Sequence, residues 1–528
     1  MGSDASLSGH SRAALKEWRW VIILQAFFLV TALWGLDGPF VSTHFVRQNY
    51  TFDVAQHVFR EGWSAVIAPK ASFTQLSRPC DITSPLPVPT PPYTICHMEV
   101  PFYGLIGWPA SLVFSHHERA IVRLIAEAFA LLSIGFIYFI LRYWLDPLPA
   151  LLGTALWTTA PLILQFGQVP MPDILATTGM ALAFLLAQRG RLIGSSGAFL
   201  FSLLAKPSVI IYGLPILVAL VIARDCRSVG HFIRISLAWG IVPLLGLLAW
   251  LTLGMDSPLN SWVLIGGYHP GDFGPLHGKD LIHPMFYVDP IVYLFPSGCG
   301  VIGAMGLWFA LGNKPPRMNS WLKASILFAL ACNYLFESIV WLEPQYTVPV
   351  LFWVIIAASL GLPRLLEKFQ AGRSWRIALA AIVVMHVAVV CASTAFLKAS
   401  RVPNLRDLET AGKLTPADAR VLICSRMSRE PAVVWLNRNT MSFDLPLDPD
   451  PAMLNLLDTQ LRNFQKAGFD YILVLDVEAH HNRNPLGFST PAYITNYTAV
   501  SSPVRHFFDE KLQKIFEGDH MILYRLPN

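Results

Sequence analysis

Charge is what this sequence has least of. Only 14% of its 528 residues are Asp, Glu, Lys or Arg, where soluble domains carry about 25%. With 54% apolar residues and a mean hydropathy of +0.48, this scarcity excludes an ordinary soluble protein and points to a multi-spanning membrane protein. Blocks of like charge are missing too. The net charge of +5 comes from Lys and Arg that fall largely in short loops between apolar runs. That is the positive-inside pattern, so no nucleic-acid partner is expected. Cysteines number seven and none shows metal-ligand spacing. Cys299, Cys332 and Cys391 sit in apolar runs as packing residues. Cys80 and Cys96 share one polar loop and bracket a proline-rich stretch, and a bridge between them is expected if that loop faces an oxidising compartment. No internal repeat is visible. No small-residue cleavage site follows the apolar run Trp20–Leu36, so it reads as a retained first helix.

What is present is a series of apolar runs. A spanning helix needs about 20 apolar residues. Runs of this kind are Trp20–Leu36, Ala120–Leu141, Leu148–Leu164, Asp173–Ala187, Phe232–Leu253, Ile291–Leu311, Ser325–Trp341, Thr347–Leu362 and Ile377–Phe396. The stretch Gly197–Ala223 is too long for one helix and is interrupted at Lys206-Pro207, so it reads as two short helices. The total is about eleven spans. With the N-terminus inside, Arg142, Arg189/Arg191, Arg224/Arg227/Arg234, Lys314/Arg317/Lys323 and Arg364/Lys368/Arg373/Arg376 all fall inside.

Three regions lie outside by this parity. The first is a large loop, residues 37–118. It holds an amphipathic piece, Phe52–Glu61, with Phe52, Ala55, Val58 and Phe59 on one side, expected to lie along the membrane surface. Ser84–Pro92 then favours extended polyproline geometry, and Val100–Phe114 reads as a second interfacial helix. A later loop, Met255–Pro290, carries His269, His277 and His283 among several acids. Residues 400–528 change character. Arg420–Ser425, Tyr471–Leu475 and His520–Leu526 read as strands, and Pro451–Ala467 as a helix with Leu454, Leu457, Leu461 and Phe464 on one face. The expected organisation is a cytoplasmic tail (1–19), a membrane all-α helical bundle (20–399) and a soluble extracytoplasmic α/β domain (400–528).

Acids are rarest where the chain is most apolar. Asp173 opens the run QVPMPDILATTGMALAFLLAQRGR, and a carboxylate at such depth costs several kcal/mol unless it meets water, a partner or a reaction. It either serves chemistry or occupies the first turn of a helix, where an acid is favoured anyway. Lys206 lies between two short apolar helices, and either binds an anion or snorkels to the interface.

The layout, together with RQNYT (Arg47–Thr51), MEVPFY (Met98–Tyr103), MPD (Met171–Asp173), AKPS (Ala205–Ser208) and PQYTVP (Pro344–Pro349), resembles the GT-C class of integral membrane glycosyltransferases. The nearest relatives implied are the dolichyl-phosphate-mannose protein mannosyltransferases and the bacterial aminoarabinose-transferase-like enzymes. The resemblance implies transfer of a sugar from a polyprenyl-phosphate donor to a glycan, lipid or protein acceptor on the outer side of the cell membrane, here a bacterial inner membrane. Direct displacement would invert the anomeric carbon. Asp173 matches the family's second-loop acid. The first-loop acid is replaced by Arg47-Gln48, and either Asp53, about a turn and a half later, takes over as base or this branch uses Arg-Gln there. Arg47, Lys206 and Tyr346 fall where the family contacts the donor phosphate, and Glu99 with His97 where part of the family binds a divalent metal. The same residues also admit plain readings: a lipid contact, an interfacial tyrosine, a helix-capping Glu. A transporter or channel, and an inactive scaffold of the same fold, are the competing functions. Transporters show broken helices in matching halves, and here the break at Lys206 has no mate.

Overall fold

The computed structural model describes residues 4–33, 45–71, 80–81, 94–95, 99–115, 117–253, 294–311, 320–336, 347–370, 373–399, 405–416, 418–424, 439–444, 451–476, 478–479, 492–493, 497–518 and 520–527. They form two compact units, one made of residues 1–38 and 97–399, the other of residues 39–96 and 400–528.

The first unit is helical. Glu118–Arg142 and Val229–Leu253 are the two described helices long and apolar enough to cross a membrane, with mean hydropathy 2.3 and 1.9. A third span is made if Thr347–Ser359 and Leu362–Lys368, bent by 43°, count as one. Shorter apolar helices run through Trp18–Ala32, Pro172–Gln188, Leu192–Ala205, Pro207–Ala223, Gly300–Ala310, Ser320–Cys332 and Ala380–Ala392. These fall on the apolar runs read from the sequence.

Prolines decide where the helices stop. Lys206 precedes Pro207 and is extended, with φ −155° and ψ 102°. A proline ring excludes the helical region for the residue before it, so Leu192–Ala205 ends there, and a tight 3₁₀ segment, Pro207–Tyr212, leads into Gly213–Ala223. The break expected at Lys206-Pro207 is present. A second break of the same origin was not expected. Leu148–Leu164 is not one helix, because Ala160 before Pro161 takes ψ 125° and separates Pro147–Thr159 from Pro161–Phe166.

Close packing sets the helix neighbours. Pro172–Gln188 lies against Leu192–Ala205 with Gly179 at the crossing, where an added Cβ would stand 2.8 Å from Phe201 Cδ1. Ser202 Oγ donates to the Ala176 carbonyl at 2.6 Å across the same contact. Phe201 stacks on Phe129 of Glu118–Arg142, centroids 5.6 Å apart.

The second unit contains a six-stranded sheet. Its order is Cys80–Asp81, Asn439–Asp444, Arg420–Cys424, Tyr471–Leu475, Met521–Arg525, Gln513–Gly518. The first four strands are parallel, and Met521–Arg525 runs antiparallel to both of its neighbours, Tyr471–Leu475 and Gln513–Gly518. Every residue of Tyr471–Leu475 is buried, as a central strand covered on both faces must be. Pro451–Lys466 is the crossover helix, and buries Leu457, Leu461 and Phe464 against Leu422, Ile472, Val474 and Ile522. Helix Pro503–Lys511 adds Val504, Phe507 and Phe508 to this core. Three expected strands and one helix are found within a residue or two of their predicted limits. The strand Cys80–Asp81 was not foreseen. It brings part of the first loop onto the edge of this sheet.

Candidate active site

Asp173 occupies the first turn of Pro172–Gln188 and is 1% exposed. The cap of that helix is Met171, which makes no side-chain cap bond. Asp173 therefore stands inside the helix, as a first-turn acid and not as its N-cap residue. Its Oδ1 pairs with Lys206 Nζ, in a contact where both side chains are buried. The sequence treated the two as separate functional candidates, and the structure brings them together. Pro207 is the reason Lys206 can reach. By ending the preceding helix it leaves Lys206 extended at a helix terminus, where the side chain projects across to the neighbouring helix. Two opposite charges taken out of water recover their desolvation cost only through such a contact.

The segment that begins the interfacial helix holds both sides of this pair. Val100 N–H donates to the Leu204 carbonyl at 3.0 Å, two residues before Lys206. Tyr103 Oη donates to the Met171 carbonyl at 2.8 Å, two residues before Asp173. Phe102 also packs on Phe201, centroids 4.6 Å apart. Burial pushes the Tyr103 hydroxyl well above the ordinary tyrosine range. Its bond to Met171 works against that rise, while the charges of Asp173 and Glu99 add to it. Glu99 is half-buried beside this segment. Thus Glu99, Tyr103, Asp173 and Lys206 belong to one polar region of the first unit.

Asp53 belongs to the second unit. Helix Phe45–Glu61 is longer than the expected Phe52–Glu61 and contains Arg47. Phe52, Asp53, Val54 and Ala55 are all buried, Asp53 at 5% exposure, so this turn is enclosed on all sides and Asp53 is not on a solvated face. Gln48, next to Arg47, is fully buried. Helix Trp63–Ile67 follows, and Lys70 at the start of the next strand pairs with Glu61.

His97, Tyr346, Cys96, the loop histidines and Glu337 lie outside the described residues. Among the described residues, no three His, Cys, Asp or Glu side chains converge to hold a metal ion. Glu99 is the one expected ligand that is described.

Sequence reasoning passed over three buried polar side chains of the first unit. Tyr103 lies within MEVPFY, at the start of the second interfacial helix. Arg123 and Glu127, 6% and 1% exposed, lie inside the apolar run Ala120–Leu141. The signal was present, since ionisable residues in a spanning helix are expensive and mark function by default.

No family model and no curated protein matches this chain. Solved structures do. ArnT from Cupriavidus metallidurans in the apo state aligns over 96% of this chain and 98% of its own, at 14% identity and a TM-score of 0.62. The same protein bound to undecaprenyl phosphate gives a TM-score of 0.60 over the same shares, also at 14% identity. The oligosaccharyltransferase AglB from Archaeoglobus fulgidus, in complex with an inhibitory peptide and a dolichol-phosphate, aligns over 95% of this chain and 79% of its own, at 11% identity and a TM-score of 0.55. The chain therefore shares the fold of these membrane proteins of the GT-C class, as the resemblance in its sequence implied.

Proposed function

We propose that the protein is a polyprenyl-phosphate-sugar-dependent glycosyltransferase acting on the outer side of a bacterial inner membrane. The observation that carries this reading is the buried Asp173–Lys206 pair, held at a helix start by the interfacial segment Val100–Tyr103. The fold adds support, because solved structures that share it hold undecaprenyl phosphate and a dolichol-phosphate.

In this reaction an acceptor hydroxyl or amide attacks the anomeric carbon as the bond from that carbon to the phosphate oxygen breaks. The polyprenyl phosphate leaves with the electron pair, and the acceptor's proton passes to a carboxylate. The configuration inverts. Lys206 is the cation assigned to the departing phosphate, where a fixed positive charge is worth most in a dry site. Arg47 and Tyr346 remain assigned to the same phosphate from the family pattern. Asp173 holds Lys206 in place and is one assigned base. Asp53, an enclosed acid on the first-loop helix, is the other. A divalent metal is the one cofactor the resemblance implies, with His97 and Glu99 as its ligands. The described donor set does not by itself make a metal site, and no step is assigned to one.

The test is transfer from polyprenyl phosphates bearing different sugars, with the full chain in detergent or vesicles. Sugar transfer that disappears in Lys206→Met is the expected result. A wild type that transfers nothing, and instead moves a solute across vesicles, would establish the transporter reading. A reporter active only outside the cytoplasm, fused after Asn528, is expected to be active, and an inactive but stably expressed fusion would reverse the orientation.

A further inference from the structure

Glu127 is the buried acid that the proposed mechanism does not use. It is 1% exposed, and neither carboxylate oxygen has a hydrogen-bond partner among the described residues. A buried carboxyl needs such partners whether or not it carries charge.

Its position follows from contacts of its helix. Thr178 Oγ1 donates to the Phe129 carbonyl at 3.0 Å. Farther along, the Arg189 guanidinium lies 5.9 Å from the centre of the Phe139 ring. Residues 129 and 139 thus meet residues 178 and 189, so Glu118–Arg142 and Pro172–Gln188 run in the same direction and in register. Counting back from Phe129 and Thr178, Glu127 stands at the level of Ala176, and Arg123 at that of Pro172 and Asp173.

The facing direction follows from Ala130. Its Cβ lies 3.1 Å from where Gly167 would carry its own. Arg123, Glu127 and Ala130 follow the i, i+4, i+7 spacing of a single helix face. Arg123 and Glu127 therefore sit on the stripe that turns toward the segment from Gly167 to Met171, which leads into Asp173. Asp173 and Lys206 satisfy each other. Glu127, about one turn deeper at the level of Ala176, has the Arg123 charge beside it but accepts no hydrogen bond among the described residues.

We propose that Glu127 is a further substrate-binding acid of the same site, receiving a hydrogen-bond donor of the transferred sugar, a hydroxyl or an amino group, while Lys206 attends to the phosphate. This rests on the glycosyltransferase reading. It divides recognition between two neighbouring helices: the phosphate is read by the break at Lys206, and the sugar by the face of Glu118–Arg142.

The experiment compares Glu127→Gln and Glu127→Leu with the wild type in detergent. Both changes also remove the anion beside the buried Arg123, so both variants should unfold somewhat below the wild type, and the site is read from transfer and from lipid-dependent stabilisation. Transfer should fall about 10–100-fold, the worth of a hydrogen bond to a charged group. In a thermal-shift assay, polyprenyl phosphates bearing hexoses or pentoses should stabilise the wild type more than bare undecaprenyl phosphate does, and this difference should vanish in both variants. Variants that unfold at a lower temperature yet keep the extra stabilisation by sugar-bearing lipid would show that Glu127 serves the fold alone, and would overturn the proposal. So would wild-type transfer by Glu127→Gln, or equal stabilisation of the wild type by sugar-bearing and bare lipid. A wild type that is stabilised selectively by sugar-bearing lipid yet transfers nothing would leave Glu127 as a sugar site and sink the transferase reading alone.

Discussion

Removing Lys206 alone should harm this protein in two separable ways. Lys206→Met keeps most of the side-chain volume and deletes the ammonium. Asp173 is then left 1% exposed without the partner it has in the wild type. Breaking a buried pair by deleting one member costs about 3–5 kcal/mol, because the other charge stays buried and uncompensated. Asp173→Asn has the same effect in reverse. Asparagine caps a helix as well as aspartate does, so a role at the helix start alone would make this change mild, but the carboxylate has a second role. Met171 is the cap residue, and the carboxylate is engaged by Lys206. The double variant buries neither charge, so its loss should be well below the sum of the two, with a coupling of about 2–3 kcal/mol, the upper end for residues in contact. The assay is a double-mutant cycle on unfolding free energy in mixed micelles, run beside sugar transfer. Both singles should be less stable than the wild type, the double should lose about 2–3 kcal/mol less than the sum of the singles, and all three should fail to transfer. Losses that add to within about 0.5 kcal/mol would mean that the two residues do not interact. A double variant that recovers transfer together with stability would show that these charges serve the fold and not the chemistry.

Two further outcomes follow from the same geometry. Tyr103→Phe removes the donor to the Met171 carbonyl and leaves that buried carbonyl short of a partner, at a cost of about 1–3 kcal/mol; thermal unfolding checks this, and an unchanged midpoint would mean that water replaces the hydroxyl. The second concerns pH and the second unit, where hydrogen bonds from Lys511 and Arg462 hold Asp458 below the ordinary aspartate range. Lys514 and Arg505 lower Glu517. Burial raises Asp509, but Tyr524, Lys514 and Arg505 outweigh it and lower the net value. Depressed carboxylates stabilise the fold above their unfolded values, 3.8 for Asp and 4.5 for Glu, and lose that contribution as pH falls through their folded values. Hydrogen exchange in Pro451–Lys466 and Pro503–Lys511 should therefore be constant from neutral pH down to about 5 after correction for intrinsic rates, and quicken below that. Protection that weakens already between pH 7 and 5 would assign the loss to other groups.

Much of this architecture was legible because membrane helices announce themselves. Apolar runs, and basic residues between them, are one-dimensional signals, and the strand Tyr471–Leu475 is bounded in the structure as in the sequence reading. The break at Lys206 was legible for the same reason, since Pro207 acts on its immediate neighbour. The break at Pro161 obeys the same rule, but the surrounding apolar run concealed it. Glu127 and Arg123 were visible as charges in a spanning run, yet their burial, and the placing of Arg123 level with Asp173, depend on which helix lies beside them.

The sequence by itself determined that this is a membrane protein, roughly where its helices lie, that an α/β domain follows them, and that Asp173 and Lys206 stand in places where charge is costly. Each of these depends on composition or on neighbours within a few residues. Tertiary structure alone decided that Asp173 and Lys206 are partners across 33 positions, that Cys80–Asp81 completes the edge of a sheet built mainly from residues beyond 400, that Asp53 is enclosed, and that Glu127 accepts no hydrogen bond among the described residues. These are contacts between segments remote in the chain. Which segments meet is fixed by how helices and strands bury their apolar faces together, and a charge caught at such a meeting acquires its partner, or its lack of one, only there.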